Sequence, residues 1–305
     1  MDSKEKLALK LLEYYSKLLT EKSFSVTSPE KQNFAYGINV SNKKHRVALL
    51  VYFGKKGNKT VLQGNKESEI YKKLNEIIFG EKLFAARNDD INPDSYIGTD
   101  ESGKGDYFGP LVIAGVFADP EISLKLLQLG VRDSKTISDW QIKKLASEIK
   151  KIANKDFDTI SISPDKYNKL HEKMGNVNKI LGWAHAKVLE NILTNCDAEE
   201  AISDKFGNER LILDALQEKG KNLKLYQTSK AERFTAVAAA SIIARDSVIR
   251  WFEMNSSDLG IKIPKGASGE VERTAKKVAK KFGKNKLNSL VKVHFKTSKK
   301  VFESI

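Results

Sequence analysis

Apolar and polar residues alternate along the first part of the chain with the periods of helices and short strands. Apolar residues recur every three or four positions over residues 4–20 and again over 67–79, which predicts two amphipathic helices. Between them, residues 34–40 and 46–53 alternate or run apolar on either side of a polar turn, as in a β-hairpin, and residues 60–63 can add another strand. The pattern predicts a small α+β unit of helix, antiparallel strands and helix.

From residue 96 onward, strand patterns alternate with helix patterns. Such alternation is typical of an α/β domain with a mixed sheet flanked by helices. The helix predicted at 232–253 is apolar nearly all round over Val237–Ala244, so we expect it deep in the core. The predicted strands are 96–100, 111–118, 159–163, 201–204 and 223–227, and the predicted helices are 120–129, 139–152, 164–173, 178–194, 232–253 and 271–282.

The stretch over residues 80–95 contains turn-forming residues and has no apolar period, which marks a domain boundary. We therefore expect an N-terminal domain over residues 1–85, a linker over 86–95 and the α/β domain over 96–305. A chain of 305 residues is long enough to build two such cores.

The formal net charge of +14 favours a polyanionic partner, either nucleic acid or an anionic membrane surface. Residues 1–85 carry 16 basic and 9 acidic side chains, hence +7, and residues 273–300 carry 11 basic and no acidic ones. The lysines and arginines predicted in the hairpin turns either follow a phosphate backbone or are simply solvated, and the sequence leaves both open: Lys43, Lys44, Arg46, Lys55, Lys56 and Lys59.

Three absences in the sequence narrow the class of protein. No apolar run is long enough for a transmembrane helix, and the first residues lack the apolar core of a secretory signal. Cys196 is the single cysteine, which excludes a disulfide framework and a cysteine-rich zinc site. We expect a cytoplasmic protein with no membrane partner.

Residues 98–111 bring together three carboxylates and four glycines. Asp100 and Glu101 are adjacent, and two like charges held so close raise each other's pKa unless a cation lies between them. A divalent metal held by hard oxygen ligands is the natural cation, although a plain glycine-rich surface turn is the alternative.

Two later acids occupy comparable positions at element boundaries. Asp204 ends a short apolar strand, and Glu232 precedes the most apolar helix. Together with Asp100 and Glu101 they predict a convergent carboxylate site. Because neighbouring side chains on a strand point to opposite faces, Asp100 and Glu101 can share a site only if the strand breaks at Glu101, and Ser102-Gly103 would supply that break.

The sequence Gly98-Thr-Asp-Glu-Ser-Gly-Lys-Gly-Asp-Tyr-Phe-Gly-Pro-Leu111 resembles the opening motif of the bacterial type 2 ribonucleases H, in particular the ribonuclease HIII family. The similarity extends over about residues 95–300. It implies a ribonuclease H-like mixed sheet and a small N-terminal domain resembling half of a TATA-binding protein. Further motifs carry the resemblance: Arg132-Asp-Ser-Lys-Thr136, Gly175-Asn-Val-Asn-Lys-Ile180, Val237–Arg245, Ile263-Pro-Lys-Gly-Ala-Ser268 and Val293-His-Phe-Lys-Thr297.

This resemblance implies an endoribonuclease that hydrolyses the RNA strand of RNA–DNA hybrids and leaves 5′-phosphate and 3′-hydroxyl ends. Two Mg²⁺ ions, or Mn²⁺ in their place, would be bridged by Asp100 and held by the other acids. Many relatives have aspartate where this chain has Glu232, so its geometry is the least fixed. The implied catalytic and metal-binding residues are Asp100, Glu101, Asp204 and Glu232.

The implied substrate-binding residues are Ser102, Gly103, Lys104 and Gly105. Glycines let the backbone approach the ribose 2′-hydroxyls that distinguish RNA from DNA, and Lys104 would contact a phosphate. Asp133 either supports the site together with Lys135 or caps the next helix, and we favour the cap. His185 and His294 are expected to be structural, and the protein is expected to be a monomer.

Three other functions compete with this one. Gly98 and Gly103-Lys104 nearly match a phosphate-binding P-loop, but Gly105 replaces the required Ser or Thr and two acids fall inside the loop. A basic nucleic-acid-binding protein without catalysis would not depend on Asp100. Cleavage at single embedded ribonucleotides, as in ribonuclease HII, is the third.

Overall fold

The structure, a computed structural model, describes residues 3–42, 45–54, 57–79, 91, 93–131, 134 and 137–303. These residues form two compact units, Met1–Asp94 with Asp119–Gln128, and Ser95–Ala118 with Leu129–Ile305. Several predicted features lie outside the described residues, so the predicted linker stays a prediction. They are the turn lysines Lys43, Lys44, Lys55 and Lys56, most of residues 80–95, and the pair Asp133 and Lys135.

The first unit has the predicted order of helix, antiparallel strands and helix. Its sheet has the order β1-β3-β4-β5, and β2 also pairs with β3. Strand β2 was not predicted, because its sequence Glu-Lys-Gln has no apolar residue. The elements are α1 (Ser3–Glu21), β1 (Ser25–Val26), β2 (Glu30–Gln32), β3 (Ala35–Ser41), β4 (Arg46–Gly54), β5 (Gly57–Gln63), α2 (Glu69–Phe79) and α3 (Pro120–Gln128).

The core of this unit lies on one face of its sheet. The register places Ile38 opposite Leu49, and both are buried together with Leu12 of α1 and Leu74 of α2. The other face carries Arg46, Tyr52 and Lys59, which are all exposed. Of the cations predicted in the turns, Lys59 lies within β5 and pairs with Tyr52, and Arg46 begins β4 and pairs with Ser41 of β3.

The second unit has a five-stranded mixed sheet of order β10-β9-β6-β7-β8, as predicted from the alternation of strands and helices. Strands β6, β9 and β10 are parallel, and β7 and β8 are antiparallel to their neighbours. The elements are β6 (Tyr96–Ser102), β7 (Leu111–Ala118), α4 (Asp139–Ala153), β8 (Phe157–Ile162), α5 (Pro164–Met174), α6 (Val177–Ile192), β9 (Glu200–Asp204), α7 (Arg210–Leu213), β10 (Lys224–Thr228), α8 (Thr235–Leu259), α9 (Gly269–Phe282), α10 (Lys284–Asn288) and α11 (Lys296–Phe302).

Helices α6 and α8 cover opposite faces of this sheet. Helix α8 is buried along its first three turns, as its apolar sequence predicts. It lies against β6 at Gly98, where a Cβ atom would come within 2.3 Å of the Val237 backbone nitrogen. Glycine is therefore required at Gly98 by the close approach of strand and helix, and the mixed α/β fold class is confirmed.

Candidate active site

Strands β6, β9 and β10 are parallel and end side by side in the second sheet. The carboxyl ends of β6 and β9 carry three of the predicted acids. The last paired residues of β6 and β9 are Thr99 and Ser203, and Asp100 and Asp204 follow them directly. Asp204 in turn pairs with the last residue of β10. Open α/β sheets bind ligands at such strand ends, because the ends of neighbouring parallel strands form a shared crevice.

Glu232 reaches the same edge from a short 3-10 turn, Ala231–Arg233, which leads into α8. The backbone N–H of Ala231 donates a hydrogen bond to Oδ1 of Asp204 at 3.1 Å. This bond ties the turn that carries Glu232 to the end of β9, so the two acids are positioned together.

The predicted strand break at Glu101 is wrong. Strand β6 continues through Glu101 to Ser102, which still pairs with Val112 of β7. Asp100 therefore points to the α8 face, where the Ser241 hydroxyl bonds to it, while Glu101 points to the α6 face and His185. The two carboxylates can line one cavity because it opens beyond the carboxyl ends of the strands, where side chains from both faces of the sheet reach the same space.

All eight predicted site residues line a single cavity of about 590 Å³. Its wall carries further polar side chains that the sequence interpretation did not assign to the site. The predicted set is Asp100, Glu101, Ser102, Gly103, Lys104, Gly105, Asp204 and Glu232, and the additional lining residues are Asp106, Ser134, Ser241, Arg245, Val248, Ile249 and Lys265.

The pKa of Asp100 is raised to about 8, first by burial and then by the neighbouring charge of Glu101. Asp204 acts in the same direction. Hydrogen bonds from Ser241 and from the Glu101 backbone N–H, at 2.8 Å, oppose the shift but do not cancel it. The cavity therefore holds more negative charge than its own residues neutralise.

Burial alone would raise the pKa of Glu101, yet its pKa lies below the ordinary value because two neighbours favour the charged form. His185 Nε2 lies 3.4 Å from Oε2, and the Lys104 ammonium lies 3.7 Å from Oε1. Glu101 is thus the ionised partner of a buried pair of acids in which Asp100 keeps its proton.

Comparison with known proteins decides which family has this arrangement. The sequence model described as Ribonuclease HII matches residues 97–298. Ribonuclease HIII of Protochlamydia amoebophila (strain UWE25) is 38% identical over 95% of this chain and 93% of its own length. Ribonuclease HIII of Chlamydia caviae is 36% identical over 94% of this chain and 92% of its own length. The chain belongs to the ribonuclease HIII family.

The fold agrees with this assignment. The crystal structure of Bst-RNase HIII in complex with Mn²⁺ superposes with a TM-score of 0.66 at 25% identity, and covers 97% of this chain and 96% of that one. Membership in the ribonuclease HIII family makes the chain a divalent-metal-dependent endoribonuclease of the ribonuclease H type, which acts on RNA–DNA hybrids. The alternative of a basic protein without catalysis is thereby excluded.

The P-loop alternative also fails on the geometry. A P-loop connects a strand to a helix, whereas the glycine-rich segment after β6 leads into another strand, β7. Gly98 lies inside β6 and is explained by its contact with α8 rather than by a phosphate.

The cavity fits a divalent metal by its donor chemistry. Its four predicted ligands are carboxylates, the hard oxygen donors that Mg²⁺ and Mn²⁺ prefer, and Asp100 has the raised pKa of an acid that lacks a cation. As they stand, no three His, Cys, Asp or Glu side chains of the described residues are arranged to hold an ion.

Packing and hydrogen bonds within the protein explain part of the conformation of the glycine-rich segment between β6 and β7. Gly103 has a φ of +85°, and a Cβ there would lie 2.2 Å from the carbonyl oxygen of Pro110. The buried Lys292 ammonium donates to the carbonyl oxygens of Asp106 at 2.8 Å and Gly109 at 2.7 Å, which fixes the far end of the segment. A Cβ at Gly105 would meet nothing within 4 Å among the described residues.

Two cations at the cavity were missed by sequence reasoning. Arg245 donates to Asp139 Oδ1 at 2.9 Å and to the carbonyl oxygen of Ser134, and Lys265 donates to Asp139 Oδ2 at 2.7 Å. Burial would raise the pKa of Asp139, but Lys265 and Arg245 hold it below its ordinary value. The sequence carried a signal for them, because Arg245 lies in the segment Val237–Arg245 and Lys265 in the segment Ile263–Ser268, both of which resemble family motifs. Ser241 is also the one polar residue in the apolar run Val237–Ala244.

His294 and His185 both pack against neighbouring aromatic rings, and His185 also contacts a residue of the predicted site. The ring of His294 stacks on His171 with 4.3 Å between centroids, and its pKa is lowered to about 4 by burial, by His171 and by Lys292. His185 is fully buried and stacks on Phe206, as a packed residue would, but it also contacts the predicted site through Glu101.

Proposed function

We propose that this chain hydrolyses the RNA strand of RNA–DNA hybrids at the cavity at the end of β6, with Asp100, Glu101, Asp204 and Glu232 holding two Mg²⁺ ions. The observation that carries the proposal is the convergence of these four acids on one cavity from two parallel strands, β6 and β9, and the turn before α8. Mn²⁺ is an alternative ion, because the related Bst-RNase HIII was crystallised in complex with it.

Bound divalent ions would supply an activated water and stabilise the charge on the leaving 3′-oxygen, which yields 5′-phosphate and 3′-hydroxyl ends. Residues that line the cavity prepare the carboxylates to hold these ions. Asp100 gives up the proton that its raised pKa retains, and Ser241 and the Glu101 backbone N–H then hold the carboxylate. Asp204, which lines the cavity, is held at the end of β9 by the backbone N–H of Ala231.

Recognition of RNA is assigned to Ser102, Gly103, Lys104 and Gly105. Gly105 supports this assignment, because no packing among the described residues requires a glycine there. The absence of a side chain leaves the backbone open to a ribose 2′-hydroxyl. The Lys104 side chain is 38% exposed, so its ammonium can leave Glu101 for a phosphate when metal neutralises that carboxylate.

The N-terminal unit is proposed to bind the hybrid over the exposed face of its sheet. Arg46 and Lys59 lie on that face together with the aromatic side chain of Tyr52, which pairs directly with Lys59. Residues 1–85 carry a formal charge of +7, which suits a sequence-independent contact with phosphates.

The test uses two labelled substrates, an RNA–DNA hybrid and a DNA duplex with one embedded ribonucleotide, each with Mg²⁺, with Mn²⁺ and with chelator. We expect metal-dependent cleavage of the hybrid to products with 5′-phosphate ends. Preferred cleavage of the single ribonucleotide would favour the ribonuclease HII-like alternative. Equal cleavage with chelator would contradict the metal site.

None of the helices in the described part of the chain is long and apolar enough to cross a membrane. A monomeric state and a cytoplasmic location stay predictions, and the elution volume of the purified chain tests the first of them.

A further inference from the structure

His185 lies in the middle of α6 and is completely buried, with a relative exposure of 0%. Its Nδ1 atom is 2.9 Å from the hydroxyl oxygen of Thr99, which is also fully buried in β6. Phe206 stacks on its ring with 4.9 Å between centroids. Packing on one side and a hydrogen bond on the other therefore fix the orientation of the imidazole.

The other ring nitrogen faces Glu101. His185 Nε2 and Glu101 Oε2 are 3.4 Å apart, and both atoms are buried with no hydrogen-bond partner in the described part of the chain. A buried polar atom without a partner destabilises the fold. Two such atoms that face each other are each other's natural partners, and a shift of a few tenths of an ångström joins them.

The Glu101 carboxylate decides which ring nitrogen carries the proton, because it can only accept a hydrogen bond, whereas the Thr99 hydroxyl can donate or accept. If Nδ1 donated to Thr99, the lone pair of neutral Nε2 would face the Glu101 carboxylate, and two acceptors would repel each other in a buried space. If the Thr99 hydroxyl donates to Nδ1 instead, Nε2 carries the proton and can donate to Glu101. Residues 99 and 101 lie on the same face of β6, so one ring reaches both.

We propose that His185 is a positioning residue, whose Nε2–H holds the Glu101 carboxylate toward the cavity for metal binding while the Thr99 hydroxyl bonds to Nδ1 and orients the ring. This inference rests on the proposed role of Glu101 as a metal ligand. Outer partners of this kind orient metal ligands, and losing one typically costs about 10–100-fold in metal affinity or activity.

The protonation of the ring is tested first, on the metal-free wild-type chain. Long-range ¹H–¹⁵N correlation spectra distinguish a protonated ring nitrogen from an unprotonated one. The His185 signals are assigned by elimination, using single variants of His45, His171 and His294. We expect a proton on Nε2 of His185. An unprotonated Nε2 would overturn the proposal.

The second test measures Mn²⁺ affinity from the electron paramagnetic resonance signal of free Mn²⁺. His185→Asn keeps a polar group near Nδ1 only, whereas His185→Gln extends an amide N–H toward the position of Nε2. We expect about 10-fold or more weaker Mn²⁺ binding in His185→Asn and a smaller loss in His185→Gln. Thr99→Val, which removes the hydroxyl donor with little change of volume, should also weaken binding.

His171→Asn is the matched control, since His171 does not line the cavity, and we expect wild-type affinity from it. Melting temperatures without metal separate a loss of packing from a loss of positioning. Equal Mn²⁺ affinity in His185→Asn, Thr99→Val and wild type would overturn the positioning role while leaving the proposed function intact. Failure of the wild-type chain to bind Mn²⁺ would instead contradict the proposed function.

Discussion

At the scale of single residues, Asp100 shows how the fold prepares a site for a cation. Its neighbours in sequence and space are Glu101 and Asp204, and burial removes the water that would otherwise screen them. A raised pKa is the consequence, and two hydrogen bonds are present to hold the carboxylate once it ionises.

This raised pKa predicts how the metal-free protein responds to pH. The fold stabilises protonated Asp100, so this stabilisation is fully present below the ordinary pKa of 3.8 and is lost as the pH rises through about 8. Between these values, the free energy of unfolding of the wild-type chain should fall relative to Asp100→Asn, by at most about 1.4 kcal/mol per pH unit. Denaturant unfolding of both proteins without metal measures it.

Mg²⁺ should reverse this trend in the wild-type chain, because the ion replaces the proton on Asp100 and therefore binds more tightly as the pH rises. Asp100→Asn serves as the control and should show little of either effect. An identical pH dependence in the two proteins would contradict the assignment of a proton to Asp100.

Sequence reasoning at this scale found the acids but not their orientation. The adjacency of Asp100 and Glu101 was visible in the sequence, whereas their approach to one cavity from opposite faces depends on where the sheet ends. The role of His185 was hidden for the same reason. Its partners Thr99 and Glu101 are more than 80 positions earlier in the chain, and only the packing of α6 on β6 brings them together.

At the scale of elements, the segment between β6 and β7 uses its glycines for two different purposes. Gly103 is required by its positive φ and by contact with Pro110, whereas Gly105 has open space beside it. The helices and strands around this segment follow their apolar periods closely, and their order could be predicted. The polar strand β2 could not, because pairing with β3 rather than apolar burial defines it.

The two glycines provide a matched pair of substitutions. Gly105→Ala should leave the melting temperature unchanged but raise KM for the hybrid, because the new methyl group occupies the space proposed for the ribose. Gly103→Ala should destabilise the fold by about 1–3 kcal/mol or more, since it forces alanine into a left-handed conformation. Thermal unfolding and steady-state cleavage of both variants test this, and an unchanged KM in Gly105→Ala would remove the proposed contact.

Lys292 predicts a separate effect on the same segment. Lys292→Met keeps the length of the side chain but leaves the buried carbonyl oxygens of Asp106 and Gly109 without this donor. We expect a loss of about 1–3 kcal/mol in the free energy of unfolding, measured in denaturant. Lys296→Met, at an exposed position in α11, is the control and should change little. Equal stability of the two variants would contradict the account of how this segment is fixed.

At the scale of the whole molecule, the basic charge is spread along the chain, and residues 1–85 carry +7 of the total of +14. Composition predicted this correctly, but it could not say which face of the sheet is free. The register of the strands shows which face is free, because it places the apolar side chains of β3 and β4 against α1 and α2 and leaves Arg46 and Lys59 on the other face.

The double substitution Arg46→Gln with Lys59→Gln should weaken hybrid binding and reduce its salt dependence. Each phosphate contact contributes about 0.9 to the slope of log affinity against log salt, so the slope should fall by up to about 1.8. The rate at saturating hybrid should stay near the wild-type value. Lys17→Gln with Lys73→Gln, which removes the same charge from the helices, is the control. Equal slopes in the two double variants would contradict binding by this face.

The most direct test of the carboxylate site compares cleavage and binding of an RNA–DNA hybrid by wild type, Asp100→Asn and Asp197→Asn in Mg²⁺. Asp197 is exposed and does not line the cavity, so its variant controls for loss of a negative charge. We predict that Asp100→Asn loses more than about 100-fold in cleavage rate, since even an outer partner of a metal ligand is worth about 10–100-fold. It should retain hybrid binding. Cleavage by Asp100→Asn at the wild-type rate would contradict the account.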